Sequence, residues 1–187
     1  MTGLFFGSFN PIHSAHLQIA EYFIANSVIK DVCFVVSPQN PFKTENGLLD
    51  TALRLELVAL AIEDNPQLTC SDVELSLPSP SYTAHTLEHL KSLYPDQEYC
   101  IIMGTDNLQN FEGWKNYQHI LDNYQLYVYP RKGSDGGSLK DHTNVHLIDS
   151  MLLEASASEI REQLNSAEAK KWLPKKVHEK ILKEGYY

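Results

Sequence analysis

Two histidines placed three positions apart are the first residues in this sequence whose spacing suggests chemistry. His13 and His16 follow a short apolar run at residues 4–6, and Gly7 and Pro11 stand between that run and the pair. The apolar run is typical of a strand, which the glycine and the proline then end abruptly. A helical pattern begins directly afterwards, so both imidazoles can project to one side of the start of a helix.

Such a pair suits a polyphosphate ligand. The N-terminus of a helix offers main-chain N–H groups and a favourable dipole for anions, and two imidazoles complete a natural clamp. Gly7 would let the ligand approach the main chain closely. Taken alone, the pair could equally be two surface histidines of a loop or half of a zinc site. Its position between a strand and a helix favours the clamp.

The elements that must position the pair alternate between strands and helices. Strands are predicted from apolar runs at residues 4–6, 32–36, 68–73, 99–103, 126–129 and 145–148. Helices are predicted near residues 17–24, 53–60, 87–94, 120–121, 158–164 and 174–184. Continuous apolar strands are typical of a parallel sheet that is covered on both faces. We therefore predict an α/β fold, a single doubly wound, Rossmann-like domain over residues 1–187 with a mainly parallel sheet, helices on both faces and its ligand at the carboxyl ends of the strands.

Composition limits the class of protein. The chain has 187 residues, of which 43% are hydrophobic and 21% charged, as in an ordinary globular domain. A net charge of -9 argues against nucleic acid as a partner. No apolar run is long enough for a membrane span. Cys33, Cys70 and Cys100 lie in apolar, strand-like surroundings and are interpreted as core residues of a cytoplasmic protein. No pattern indicates an oligomeric state.

The segment from Gly7 to His16 reads G-S-F-N-P-I-H-S-A-H. It resembles the G-x-F-[DN]-P-x-H-x-[GA]-H signature of the adenylyltransferase superfamily whose hallmark is an H-x-G-H motif. Two relatives share this start, pantetheine-phosphate adenylyltransferase and nicotinate-nucleotide adenylyltransferase.

Three later segments favour the second relative. Residues 80–87 (P-S-Y-T-A-H-T-L), residues 104–108 (G-T-D-N-L, with Trp114 beyond them) and residues 156–161 (S-A-S-E-I-R) follow in that order. They are similar to the P-S-Y-T-x-x-T-L, G-x-D-x-L…W and I-S-[SA]-T-x-I-R segments of the nicotinate-nucleotide adenylyltransferase family. The resemblance covers residues 3 to about 164, and the whole set is far more specific than its first member.

The resemblance implies a reaction in NAD biosynthesis. Nicotinate mononucleotide and ATP would give nicotinate adenine dinucleotide and pyrophosphate, with Mg²⁺ as the cofactor that bridges phosphate oxygens. The phosphate of the acceptor would attack the α-phosphorus of ATP. Catalysis would then rest on positioning and on neutralising the charge that develops on pyrophosphate.

The resemblance also assigns an ATP site to residues from the first, third and last segments: Gly7, Ser8, Phe9, His13, His16, Gly104, Asp106, Ser158 and Arg161. Among these, His13, His16 and Arg161 are expected to be catalytic, with His16 the first choice for stabilising the transition state. Ser158 is expected to cap the late helix, so that residues from about 156 to 187 complete the ATP site. Asp106 is expected to bind a ribose hydroxyl and to help place a Mg²⁺ that is held mainly by phosphates.

The acceptor site is implied in the same way, and its members are Lys43, Tyr82, Thr83, Trp114 and Arg131. Trp114 is expected to stack on the pyridine ring, although a core tryptophan is the alternative. Tyr82 and Thr83 would contact the pyridine or its carboxylate. Lys43 and Arg131 would reach the phosphates, although either could be a solvated surface charge.

Four positions depart from the family pattern: Asn10, Ala15, Phe42 and Ala155. Asn10 stands where many relatives have aspartate, and Ala15 replaces a glycine, which is tolerable where φ is negative. Phe42 stands where relatives often have histidine, and Ala155 replaces an isoleucine.

The glycine-rich segment 132–141 predicts a flexible loop. A non-catalytic nucleotide sensor on the same fold is the alternative from another class of protein. The presence of His13, His16, Ser158 and Arg161 together argues against it.

Overall fold

The computed structural model describes residues 1–38, 47–148 and 155–187. Its sheet has six strands in the order β3-β2-β1-β4-β5-β6. The strands are β1 (Thr2–Gly7), β2 (Asp31–Val36), β3 (Leu68–Ser71), β4 (Tyr99–Gly104), β5 (Gln125–Tyr129) and β6 (Val145–Leu147). Every neighbouring pair is parallel. The predicted doubly wound α/β fold is confirmed, and its order reverses between β1 and β4, where such sheets place their ligands.

Helices cover both faces of the sheet. They are α1 (Ser14–Asn26), α2 (Thr51–Ile62), α3 (Thr83–Leu93), α4 (Thr105–Gln109), α5 (Tyr117–Asn123), α6 (Ala157–Glu162), α7 (Ala167–Trp172) and α8 (Lys175–Glu184). Short 3₁₀ turns lie at Val73–Ser76, Phe111–Gly113 and Gly137–Leu139. Within the described ranges, every helix is too short or too polar to cross a membrane.

The alternation of side chains along β1 shows how the two faces are divided. Phe5 joins a core with Phe23 of α1 and Leu57 of α2, whereas its neighbour Leu4 joins a second core with Leu87 of α3. β1 therefore buries side chains on both faces of the sheet, which explains the continuous apolar run in this part of the sequence. The three cysteines lie in β2, β3 and β4 as free thiols. Cys100 is buried in the core as predicted, whereas Cys33 and Cys70 are only partly buried and pack against the edges of the two cores.

The structure differs from the sequence prediction in its short elements. The strand predicted to run to Val73 ends at Ser71, and a 3₁₀ turn follows it. Helices α4 and α7 were not predicted, because five or six residues carry too little periodicity to detect. The segment 132–141 contains a 3₁₀ turn and is tied to α4, since Ser134 Oγ donates to Gln109 Oε1 at 2.7 Å.

Candidate active site

The turn after β1 is built around the ring of Phe9. This ring is buried and packs edge-on against Phe5, Phe34 and His16, with centroids 5.8, 5.4 and 5.1 Å away. A Cβ on Gly7 would lie 2.9 Å from the Phe9 ring, so glycine is required here by a neighbouring side chain. Phe9 itself has a φ of 45°, which an L-residue adopts only at a cost. The aromatic packing holds this strained turn in place.

The histidine pair lies at the start of α1, as the sequence predicts. His13 is the N-cap residue, and its main-chain N–H donates to Nδ1 of His16 at 3.3 Å. The two imidazole rings stack, with centroids 3.7 Å apart and planes inclined by 29°. Ala15 lies between them inside the helix, where φ is negative, so replacing the usual glycine causes no strain.

Desolvation keeps both imidazoles uncharged at neutral pH, although His13 is buried and His16 only half-buried. Desolvation, together with the nearby Arg131 guanidinium, lowers the pKa of His13 to about 4. Burial lowers the pKa of His16 well below 6.5 as well, and His13 and Arg131 add to the effect. Nδ1 of His13 is buried without a hydrogen-bond partner in the described part of the chain. An unsatisfied buried polar atom is costly, so this atom indicates a place where a ligand is expected.

The last motif docks onto the first. Arg161 donates from Nη1 to the carbonyl of Asn10 and from Nη2 to Ser158 Oγ, the latter at 3.1 Å. This brings Arg161 and Ser158 to the turn that carries the histidines. The prediction that Ser158 caps the late helix is wrong. Ser156 caps α6 by accepting from the N–H of Glu159 at 3.1 Å, because Ser156 has the extended backbone of an N-cap whereas Ser158 is already inside the helix.

Asp106 and Arg131 meet at the end of β4. Their side chains approach to 3.9 Å, and both are about half exposed. A Cβ on Gly104 would lie 2.7 Å from Cγ of Arg131, so glycine allows this close approach. Arg131 does not line the cavity described below; it lies beside Asp106, with its positive charge acting on His13 and His16.

A cavity of about 570 Å³ opens at the carboxyl ends of β1, β2 and β4. Three of the residues predicted to bind the acceptor line it: Tyr82, Thr83 and Trp114. Phe5 also lines the cavity, and its ring centroid is 5.9 Å from that of His16, so the cavity and the histidine pair are neighbours. Lys43 and Phe42 lie outside the described residues.

The first of three cavity-related residues that sequence reasoning missed is Arg54 of α2. It is fully buried, although an arginine is rarely so. Its guanidinium donates to the carbonyls of Ser8, Ser37, Pro38 and Leu49 and to the hydroxyl of Thr51. Arg54 therefore ties the ends of β1 and β2 to the start of α2. A lone arginine in an apolar helical pattern was the signal in the sequence.

Glu74 and Lys115 are the other two. Both line the cavity. The buried Glu74 carboxylate accepts from Ser81 Oγ at 3.0 Å and from Thr86 Oγ1 at 2.9 Å, which fixes the start of α3 against the cavity. Nζ of the exposed Lys115 lies 4.6 Å from the centroid of the Tyr82 ring. Neither residue belongs to a contiguous motif, so the sequence carried no signal for them.

Comparison with known proteins agrees with this geometry. A family model for cytidylyltransferase-like proteins matches residues 4–163. A probable nicotinate-nucleotide adenylyltransferase from Cytophaga hutchinsonii is 46% identical over 186 residues, covering 99% of this chain and 97% of the relative. One from Bacteroides fragilis is 41% identical over 184 residues, covering 98% and 92%.

Solved structures share the fold. Plasmodium falciparum nicotinic acid mononucleotide adenylyltransferase complexed with NaAD aligns with a TM-score of 0.80 at 18% identity, covering 98% of this chain and 95% of that one. The chain is thus a member of the cytidylyltransferase-like family of nucleotidyltransferases. Within that family it belongs with the nicotinate-nucleotide adenylyltransferases, which confirms the resemblance seen in its motifs.

Proposed function

We propose that this chain transfers AMP from ATP to nicotinate mononucleotide, giving nicotinate adenine dinucleotide and pyrophosphate, a step of NAD biosynthesis. The observation that carries the proposal is the juxtaposition of two sites at the switch point of the sheet. The stacked histidine pair and the docked Arg161 share the turn after β1, and a cavity lined by Tyr82, Thr83 and Trp114 adjoins this turn. The names of the curated relatives supply the acceptor.

The histidine pair and Arg161 act on the phosphates of ATP. The acceptor phosphate attacks the α-phosphorus, and negative charge then grows on the departing pyrophosphate. Imidazole N–H groups and the Arg161 guanidinium stabilise this charge from fixed positions. Because His13 and His16 are held in place before ATP binds, little reorganisation is needed during the reaction.

The acceptor cavity holds the pyridine ring. Trp114 is half-buried, packs on Phe111 with ring centroids 5.1 Å apart and presents itself to the cavity, as a stacking platform requires. The first residues of α3 line the same cavity, and their main-chain N–H groups are suited to an anionic carboxylate.

Mg²⁺ belongs to the proposal as the partner of the ATP phosphates. No cluster of three or more His, Cys, Asp or Glu side chains that could hold a metal occurs among the described residues. One carboxylate plus phosphate oxygens is nevertheless a common way to hold this ion, and the half-exposed Asp106 fits that role. When bound, Mg²⁺ would neutralise charge on the triphosphate.

The test is an assay of pyrophosphate release. The purified protein is incubated with ATP and Mg²⁺, and either nicotinate mononucleotide or nicotinamide mononucleotide is added. We expect much faster release with nicotinate mononucleotide. Equal rates would overturn the assignment of the acceptor while keeping the chemistry. Release with neither would overturn the proposal and direct the search to phosphopantetheine, and then to a nucleotide sensor.

A further inference from the structure

We propose that the Lys115 side chain selects the acceptor by charge, favouring the carboxylate of a pyridine nucleotide over the corresponding amide. The inference rests on the proposed function, since it concerns the acceptor of that reaction. It assigns to Lys115 a role in specificity rather than in the chemical step.

The position of Lys115 is the first part of the argument. It directly follows Trp114, and both residues line the cavity. The ammonium group lies 4.6 Å from the centroid of the Tyr82 ring, an arrangement in which a cation is attracted to an aromatic face. Tyr82 is the N-cap residue of α3, so the ammonium is held at the end of the cavity where this helix begins.

The charge balance of the cavity is the second part. Among the described residues, Glu74 is the only carboxylate that lines the cavity, and its oxygens already accept from the hydroxyls of Ser81 and Thr86. No carboxylate of the described chain lies within ion-pair distance of Lys115. The Tyr82 side chain does not cap α3 in the described structure, so the partial positive charge of the helix N-terminus adds to that of Lys115.

The chemistry of the two acceptors is the third part. The ring nitrogen of either mononucleotide is bonded to ribose and carries a positive charge. The carboxylate of nicotinate makes its base a zwitterion, whereas the amide of nicotinamide leaves the base a cation. The Glu74 carboxylate attracts the positive ring of either acceptor, whereas the Lys115 ammonium attracts the carboxylate of nicotinate and gains no such ion pair with the neutral amide.

The experiment compares kcat/KM for the two mononucleotides in wild type and three variants. Lys115→Met removes the charge at similar length, and Lys115→Arg keeps the charge. Lys175→Met is the matched control, because it removes one positive charge from α8, where the Lys175 side chain is 88% exposed. We expect Lys115→Met to lower the nicotinate-to-nicotinamide ratio about five-fold through a higher KM for nicotinate mononucleotide. Lys115→Arg and Lys175→Met should keep the wild-type ratio.

Salt gives a second readout. Since Lys115 is exposed, the wild-type ratio should fall as NaCl is raised, whereas the ratio of Lys115→Met should respond less. An unchanged ratio in Lys115→Met would overturn the inference. An equal fall in kcat/KM for both acceptors in Lys115→Met would also overturn it. Lys115 would then support the packing of Tyr82 and would not recognise the carboxylate. Failure of the proposed function is distinguishable, since wild type would then release no pyrophosphate with either nucleotide.

Discussion

The histidine site, formed by His13, His16, Ser158 and Arg161, and the neighbouring acceptor cavity are built in opposite ways. In the histidine site, His13 is buried and His16 is half-buried, and their rings stack 3.7 Å apart. Arg161, from the other end of the chain, donates to the Asn10 carbonyl in the turn that carries them. In the cavity, Trp114 is half-buried and Lys115 is exposed. The imidazoles are fixed by ring packing and by a hydrogen bond, whereas the Lys115 side chain is open to water.

This difference matches the two tasks of a transferase. Charge that develops during the reaction is stabilised best by groups that are already in place and shielded from solvent. Selecting one acceptor requires only a difference in binding free energy between two molecules. One charged side chain at an accessible position can supply that difference. Substitutions in the histidine site should therefore change kcat strongly, whereas those in the cavity should change KM and selectivity.

The largest effect is expected for His16→Ala, which tests the fixed region. We expect kcat to fall by about 10²- to 10³-fold, because one preorganised donor to the phosphates is lost, while ATP still binds. The measurements are pyrophosphate release and ATP binding by calorimetry. His119→Ala, on the exposed side of α5, is the control. Turnover within ten-fold of wild type would show that the role of His16 is assigned wrongly and that the contrast between the regions is misplaced.

The next effect concerns Arg54, which supports the wall of the acceptor cavity. Its guanidinium holds the carbonyls of Ser8 and Ser37, and both residues line the cavity. Arg54→Lys cannot reproduce the hydrogen bonds of the guanidinium, so buried carbonyls lose their donors. We expect a loss of about 3 kcal/mol in the free energy of unfolding, measured with urea.

Glu56→Gln is the control for Arg54→Lys, because it changes an exposed partner of Lys180 on the same helix. Glu56→Gln should lower the free energy of unfolding by less than about 1 kcal/mol. If Arg54→Lys costs no more than this control, the guanidinium is not what ties β1 to β2.

The same contrast explains which parts of the molecule the sequence could predict. The turn and the histidine pair occupy ten consecutive residues, so strand, turn and helix signals locate them together. The contact between Arg161 and Asn10 joins positions 151 residues apart. Only the resemblance to a family suggested it, because spacing carries no information at that separation.

The cavity was the harder region to predict. The sequence continues the third strand through Val73, whereas the structure ends it at Ser71 and turns, which buries Glu74 beside the cavity. The sequence does not distinguish a buried glutamate from an exposed one, because burial depends on hydroxyl partners that only the structure identifies. Ser156 rather than Ser158 caps α6 for a similar reason, since two serines two positions apart offer equivalent sequence signals and only backbone geometry separates them.

The smallest effect follows from titration of the histidine site. His13 has a pKa of about 4 in the folded chain and 6.5 as its ordinary value. Below pH 6.5, His13 therefore binds a proton in the unfolded chain but stays unprotonated in the folded chain until the pH nears 4. The contribution of uncharged His13 to the free energy of unfolding is fully present above pH 6.5 and is lost as pH falls toward 4. Between pH 7 and pH 5 this costs about 2 kcal/mol for His13, and the lowered pKa of His16 acts in the same direction.

Urea unfolding of wild type and His13→Asn at pH 7 and pH 5 checks this expectation. Groups remote from the site contribute equally in both proteins, so the difference between the two pH dependences reports His13 together with its effect on the neighbouring His16. The variant should lose about 2 kcal/mol less than wild type on acidification. Identical losses would mean that His13 charges as readily in the folded chain as in the unfolded one. The histidine site would then be as open to water as the acceptor cavity, and the contrast between the two regions would fail.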